Sequence, residues 1–332
     1  MNKKYKIVFS VIKIVLSIII IITAIFLAMT YKALFANRTE ETKVETEIEK
    51  IELKRISTYN KPIVPEGFKK VETETASWEE VEGIPIGWNN GLVIEDKIGN
   101  QFVWVPVKKL LYNEKITDKD LDFKQNYQYG GFYIARYEAG IPEEYIKKIS
   151  ENEFRTTSNN KVGVPTSKKN QLPWNYIYWS RANESAENMY KDNEYITSDL
   201  ISVNQWNYII DWLASAGYNI ENSKEWGNYS NVNFSFTGYY STDGKTYKYA
   251  ENGMKQTYNM ILSTGATERN KANNIYDLAG NLAEFTDVSE TSHNEYVRGG
   301  YYDNHSIVSV NSRVPISEGN VRQGFRVVLY MK

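Results

Sequence analysis

Hydrophobic and polar positions divide the chain into three regimes. Residues 14–31, IVLSIIIIITAIFLAMTY, form a nearly unbroken apolar run between Lys13 and Lys32. As a helix it spans roughly 27 Å, about the thickness of a hydrocarbon core, which predicts a single transmembrane anchor. Lys3, Lys4, Lys6 and Lys13 precede the run, and this bias predicts a cytoplasmic N-terminus with the rest of the chain exported. The run is longer than the apolar region of a cleaved signal peptide, and Leu34-Phe35-Ala36 is a poor cleavage site, so the anchor is expected to stay. The second regime, residues 32–62, is dominated by charge. Val44, Ile48 and Ile51 follow helical spacing without sustained heptads, which predicts a solvated stalk and no coiled coil.

The third regime, residues 63–332, alternates short apolar patterns with long polar stretches. QFVWVPV (101–107) and GFYIARYEAG (131–140) read as strands, as do EYVRGG (295–300) and GFRVVLY (324–330). SVNQWNYIIDWLASAG (202–217) reads as an amphipathic helix. Ser202 and Gln205 have capping-box spacing, Trp206, Ile209, Ile210 and Leu213 form its apolar face, and Gly217 closes it. Residues 150–170 are loop-like, and 218–264 are expected to be mostly irregular with a hairpin turn at Asp243-Gly244. Few helices, scattered strands and long loops predict an α+β domain. The expected layout is a cytoplasmic tail (1–13), an anchor (14–31), a stalk (32–62) and one body (63–332).

Composition narrows the chemistry. The net charge of −2 suggests no nucleic-acid partner, and the absence of cysteine removes disulfides, thiolate nucleophiles and thiolate metal sites. Two histidines, His293 and His305, cannot make a three-histidine metal centre. The 26 tyrosines suit both cores and adhesive surfaces.

NIYDLAGNLAEFTD (274–287) packs acids and amides around Gly280. Asp277 and Glu284 could supply carboxylates to a hard cation such as calcium, with Gly280 turning carbonyls inward. Alternatively Asp277 and Asn281 cap turns and Glu284 pairs with an arginine. Both readings stand at this point.

Four stretches in order, 164–175, 204–214, 273–287 and 297–330, carry a resemblance. Asp277-Leu278-Ala279-Gly280-Asn281-Leu282-Ala283-Glu284-Phe285-Thr286, then Arg298-Gly299-Gly300-Tyr301, then Gly324-Phe325-Arg326-Val327-Val328 resemble the formylglycine-generating enzyme, or sulfatase-modifying factor, family. The resemblance covers about 95–332 and is strongest over 164–332. It implies an irregular α+β fold related to C-type lectins. It also implies a calcium site formed by the Asp277 side chain, the Gly280 and Leu282 carbonyls and the Glu284 side chain. The family's oxidase activity needs a copper-binding cysteine pair, which this chain lacks. Its iron-dependent sulfoxide synthases use histidines of an extra helical domain that is also lacking. Ala283 and Phe285 replace signature tryptophans. The resemblance therefore implies the scaffold, no copper site, and no formylglycine-generating activity.

The function expected is that of a membrane-anchored, extracytoplasmic binding or adhesion module for a protein or carbohydrate ligand. Lectin-like relatives bind through loops near the C-terminus, which here hold Tyr301, Tyr302, Asp303, Asn304, His305, Asn311 and Arg313. Tyr, Asn and Asp suit such loops, although Tyr301 and Tyr302 could equally be core aromatics. Two alternatives are a divergent enzyme using His293 or His305 and a structural component of an envelope complex.

Overall fold

The alternation in QFVWVPV decides how the central sheet is covered. Successive side chains of a strand point to opposite faces, so Phe102 and Trp104 leave one side and Val103 and Val105 the other. In the computed structural model both sets are buried. Phe102 and Trp104 pack with Tyr133, Trp174, Phe285 and Phe325. Val103 and Val105 pack with Phe132, Ile134, Trp206, Ile209 and Leu213. The sheet has six strands in the order Phe68–Val71, Val93–Asp96, Gln101–Pro106, Gly131–Ala135, Val327–Met331, Ile196–Leu200. Every pairing in it is antiparallel.

The structure describes residues 62–107, 128–256, 259–287, 296–306, 308–315 and 319–332, together with Thr23, Phe26, Leu27, Met29 and Thr30. The chain divides into two units, Met1–Thr58 and Tyr59–Lys332. In the first unit the five described residues are helical and exposed. Among the described residues no helix is long and apolar enough to cross a membrane. Apart from those five positions, the anchor expected at 14–31 lies outside the described residues, as does the stalk to Lys61.

In the second unit the helix Val203–Ser215 follows its sequence signals closely. Both bonds of the capping box form, with Gln205 N–H donating to Ser202 Oγ and Ser202 N–H to Gln205 Oε1, each at 3.0 Å. At the other end Gly217 adopts φ +91°. Gly217 N–H donates to the Ala214 carbonyl and Tyr218 N–H to that of Leu213, the paired bonds of a Schellman stop. Trp206 is fully buried.

Two stretches expected to be mostly loop also carry strands. Residues 146–156 include a hairpin, Ile146–Ser150 against Glu153–Thr156. Residues 218–264 hold the long pair Ser235–Ser241 and Thr246–Lys255. These four strands and Ile261–Leu262 make a five-stranded sheet. The turn between the long strands falls at Asp243-Gly244 as expected, with Asp243 Oδ1 accepting from Lys245 and Thr246 N–H at 2.8 Å. A further helix, Trp179–Asn188, was not signalled, because it buries only Ala182, Ser185 and Ala186. Small residues leave no apolar stripe to read.

The resembling motifs meet in a four-stranded sheet ordered Arg313–Pro315, Tyr296–Arg298, Ala283–Phe285, Gln323–Phe325. Its last pairing is parallel and joins segments forty residues apart, with Glu284 opposite Gly324. The body is mostly strand with few helices, an α+β arrangement.

Candidate functional site

The 274–287 loop is buried nearly throughout. Asn274, Asp277, Gly280 and Asn281 all adopt positive φ, which Gly, Asn and Asp tolerate best. Gly280 is required for a second reason: a Cβ there would lie 2.1 Å from the Asn228 carbonyl oxygen. Asn281 fills the space below the turn. Its Nδ2 donates to Glu138 Oε2 (2.6 Å) and the Leu262 carbonyl (3.2 Å), and its Oδ1 accepts from Asn228 Nδ2 (3.0 Å) and Leu262 N–H (2.9 Å). Asn274 Nδ2 reaches the Gly91 carbonyl at 2.9 Å and Thr73 Oγ1 at 3.1 Å. The loop thus ties together strands distant in sequence.

Three carboxylates gather here around one cation. Arg326 and Glu284 are both fully buried, and both Glu284 oxygens accept from the guanidinium, at 2.5–3.0 Å. Arg326 also donates to the carbonyls of Ala135 (3.0 Å) and Tyr276 (2.9 Å). Asp277 Oδ2 accepts from Gly265 N–H at 2.7 Å, while its Oδ1 is buried without a hydrogen bond. Burial, helped by Glu284, pushes Asp277 up to about 6 against the pull of Gly265 N–H and Arg326. Burial, then Asp277 and Glu284, also raises Glu138 well above the carboxylate range. A calcium site needs several oxygen donors free to converge. Of the expected ligands Asp277, Gly280, Leu282 and Glu284, the last has its carboxylate committed to Arg326. Glu284 pairs with an arginine, as the turn reading expects, while Asp277 and Asn281 bond to distant segments and cap no turn of the loop itself.

A second cluster faces outward. Four segments converge through Tyr176, Asp243–Lys245, Tyr301–Asp303 and Asn320–Arg322. Arg322 grips Asp303 through Nε (2.8 and 3.1 Å) and Nη2 (2.7 Å), and its guanidinium sits 5.3 Å from the Tyr301 ring centre. Tyr176 N–H donates to the Asn320 carbonyl (3.0 Å) and its hydroxyl to the Asp243 carbonyl (2.8 Å), with Lys245 Nζ 4.9 Å from its ring centre. Tyr176 holds φ +54°. A bulky side chain rarely adopts that conformation, which costs on the order of 1–3 kcal/mol and persists only when surrounding contacts enforce it. The Tyr247 hydroxyl is buried without a hydrogen bond. Burial raises its pKa, and Glu138, then Asp243 and Tyr176, add to the rise.

The structure divides the seven expected ligand residues. Tyr301 and Asp303 are half-buried parts of the outer cluster. Tyr302 packs in the core at 5% exposure, and burial, then Asp303, pushes its hydroxyl up to about 12. Asn304 is buried and shapes the loop, its Oδ1 accepting from Tyr301 N–H at 2.8 Å. His305 is exposed, with Nδ1 2.9 Å from Ser230 Oγ and 3.3 Å from Asn231 Nδ2. Asn311 and Arg313 belong to a different set of contacts around Arg298. His293 lies outside the described residues. Reading the sequence missed Tyr176, Lys245 and Arg322. The Asp243-Gly244 turn was the one signal pointing to their neighbourhood.

The outer cluster offers fixed aromatic faces, a two-pronged ion pair and backbone carbonyls. Such a surface can hold a ligand, whereas the carboxylates of Glu138, Asp277 and Glu284 are buried in the core and committed to its internal hydrogen bonds.

No protein-family model matches the chain, and no curated protein matches it. Among solved structures it is similar to CarF, at 14% identity and TM-score 0.43 over 71% of this chain and 100% of that one. It is similar to PvdO from Pseudomonas aeruginosa, at 13% identity and TM-score 0.41 over 72% and 97%. Treponema denticola variable protein 1 is a third, at 14% identity and TM-score 0.38 over 69% of this chain and 95% of that protein.

Proposed function

We propose that the chain is a non-catalytic binding module on a sulfatase-modifying-factor-like, C-type-lectin-like scaffold. The segment 14–31 anchors it in the cell membrane with the body outside, and it takes a protein or carbohydrate ligand. The ligand face is the outer cluster of Tyr176, Tyr301, Asp303 and Arg322. The observation that carries this reading is the way its rings are pinned. Tyr176 is held at a costly φ, and Tyr301 lies under a guanidinium already fixed by Asp303. Pre-set aromatic surfaces lose little entropy on binding, which is what recognition loops exploit. The anchor reading is supported by Phe26, Leu27 and Met29, helical apolar residues at 66–69% exposure.

Intact cells producing the full chain should retain envelope polysaccharide or a surface protein of neighbouring cells, and external protease should abolish that retention. Tyr301→Ala with Arg322→Ala should lower it at least about tenfold, since each lost anchor contact is worth on the order of 1–2 kcal/mol. Equal retention by the double variant, or a body shielded from protease until the membrane is lysed, would refute the reading.

A further inference from the structure

Arg298 is a cation almost wholly withdrawn from water, at 1% exposure. Its Nη1 donates to the carbonyl (3.2 Å) and Oδ1 (3.1 Å) of Asn311, and its Nη2 to Asn207 Oδ1 (2.9 Å). All three acceptors are neutral. Glu284 stands opposite Arg298 in register, but both its oxygens are given to Arg326. Among the described residues no carboxylate forms an ion pair with Arg298.

On its other side Arg298 faces a second arginine. Arg298 and Arg313 are directly opposed on antiparallel strands, so their side chains leave the same face of the sheet. Arg313 is exposed and makes no ion pair among the described residues. Like charges directly opposite each other destabilise a sheet, and a buried charge without a counter-charge costs more still. The strain registers on Arg298 itself: burial, then Arg313, pushes its guanidinium down to about 10. The hydrogen bonds of Arg298 are only part-buried, so the group lies just under the surface at the root of Arg313.

We propose that Arg298 and Arg313, with the amides of Asn207 and Asn311, form a binding site for an oxyanion group, a phosphate, sulfate or carboxylate, which supplies the counter-charge that no described residue gives Arg298. Guanidinium forks match the paired oxygens of such groups. Asn207 and Asn311 turn oxygens toward Arg298 and each keeps an NH2 donor for the anion. The site shares no residue with the Tyr301 face and stands or falls separately from it.

The test is equilibrium dialysis of the full chain in detergent, with labelled inorganic phosphate, sulfate and acetate in separate chambers and ionic strength fixed with chloride. At least one anion should bind saturably with one site per chain, and the one that binds tells the tetrahedral class from the planar. Arg313→Gln, at an exposed position, should weaken binding about tenfold or more, a charge-assisted hydrogen bond being worth at least that factor. Arg181→Gln, which removes an exposed arginine elsewhere, should leave binding unchanged. Saturable binding of none of the three, equal binding by Arg313→Gln, or equal loss in Arg181→Gln would each overturn the proposal.

Discussion

Replacing Arg326 by Met should be among the most damaging single changes in the body. The side chain is fully buried, and its removal leaves the equally buried Glu284 without a counter-charge. Breaking such a pair from one side costs about 3–5 kcal/mol. The carbonyls of Ala135 and Tyr276 lose their donor as well, at about 1 kcal/mol each. A loss of roughly 5 kcal/mol is a large share of the 5–15 kcal/mol typical of a folded domain. At about 2–4 °C per kcal/mol for a body of this size, the melting temperature should fall by roughly 10–20 °C. The double variant Arg326→Met with Glu284→Met removes both charges. It should recover most of the loss, because well-packed apolar replacements of a buried pair are often near neutral. Urea denaturation of wild type, both single variants and the double variant completes the cycle. If Arg326→Met costs under about 1 kcal/mol, or the double variant is no better than the single, the loop is not held together by this pair.

Because Glu284 is committed to Arg326, the metal-stripped full chain should melt at the same temperature in calcium and in chelator. Calcium at one hundred times its dissociation constant would add about 2.7 kcal/mol, and a rise of several degrees would restore Asp277 and Glu284 as ligands. Asp277 is raised by burial from 3.8 to about 6, so the folded chain holds this proton more tightly than the unfolded one. Its contribution to stability is then fully present below pH 3.8 and is lost as pH rises through about 6, on the order of 3 kcal/mol in total. Asp277→Asn should flatten stability between about pH 4 and 7. Glu138 and Glu284, raised in the same sense, leave a smaller slope. An unchanged slope would show that Asp277 is not the group responsible.

What could be read in advance was local. The caps of Val203–Ser215 lie within a few residues of the helix they close, and the apolar run at 101–107 declares its strand, though not that both faces are buried. The three C-terminal motifs carried the resemblance, and they meet in one sheet. The rest depends on pairings between distant segments. Glu138 and Asn281 touch across 143 positions, and no spacing rule links them. Tyr301 and Tyr302 are adjacent in a turn, and packing, which the sequence does not display, puts Tyr302 in the core and leaves Tyr301 half-buried. Arg298 looks like a motif residue in the sequence. That it has no acid partner among the described residues emerges only when register places Arg313 opposite it and Arg326 claims Glu284.

The position of the last described strand has a consequence for how this body can be made. Val327–Met331 is no edge strand; it lies between Gly131–Ala135 and Ile196–Leu200. Until Met331 has been synthesised, the central sheet is two separate pieces, each with an open edge. The partly made chain therefore carries exposed strand edges through nearly all of its elongation, the condition that favours mispairing between neighbouring chains. The central sheet of this body is joined only by a segment of five residues that comes later in the chain than both strands it must pair with.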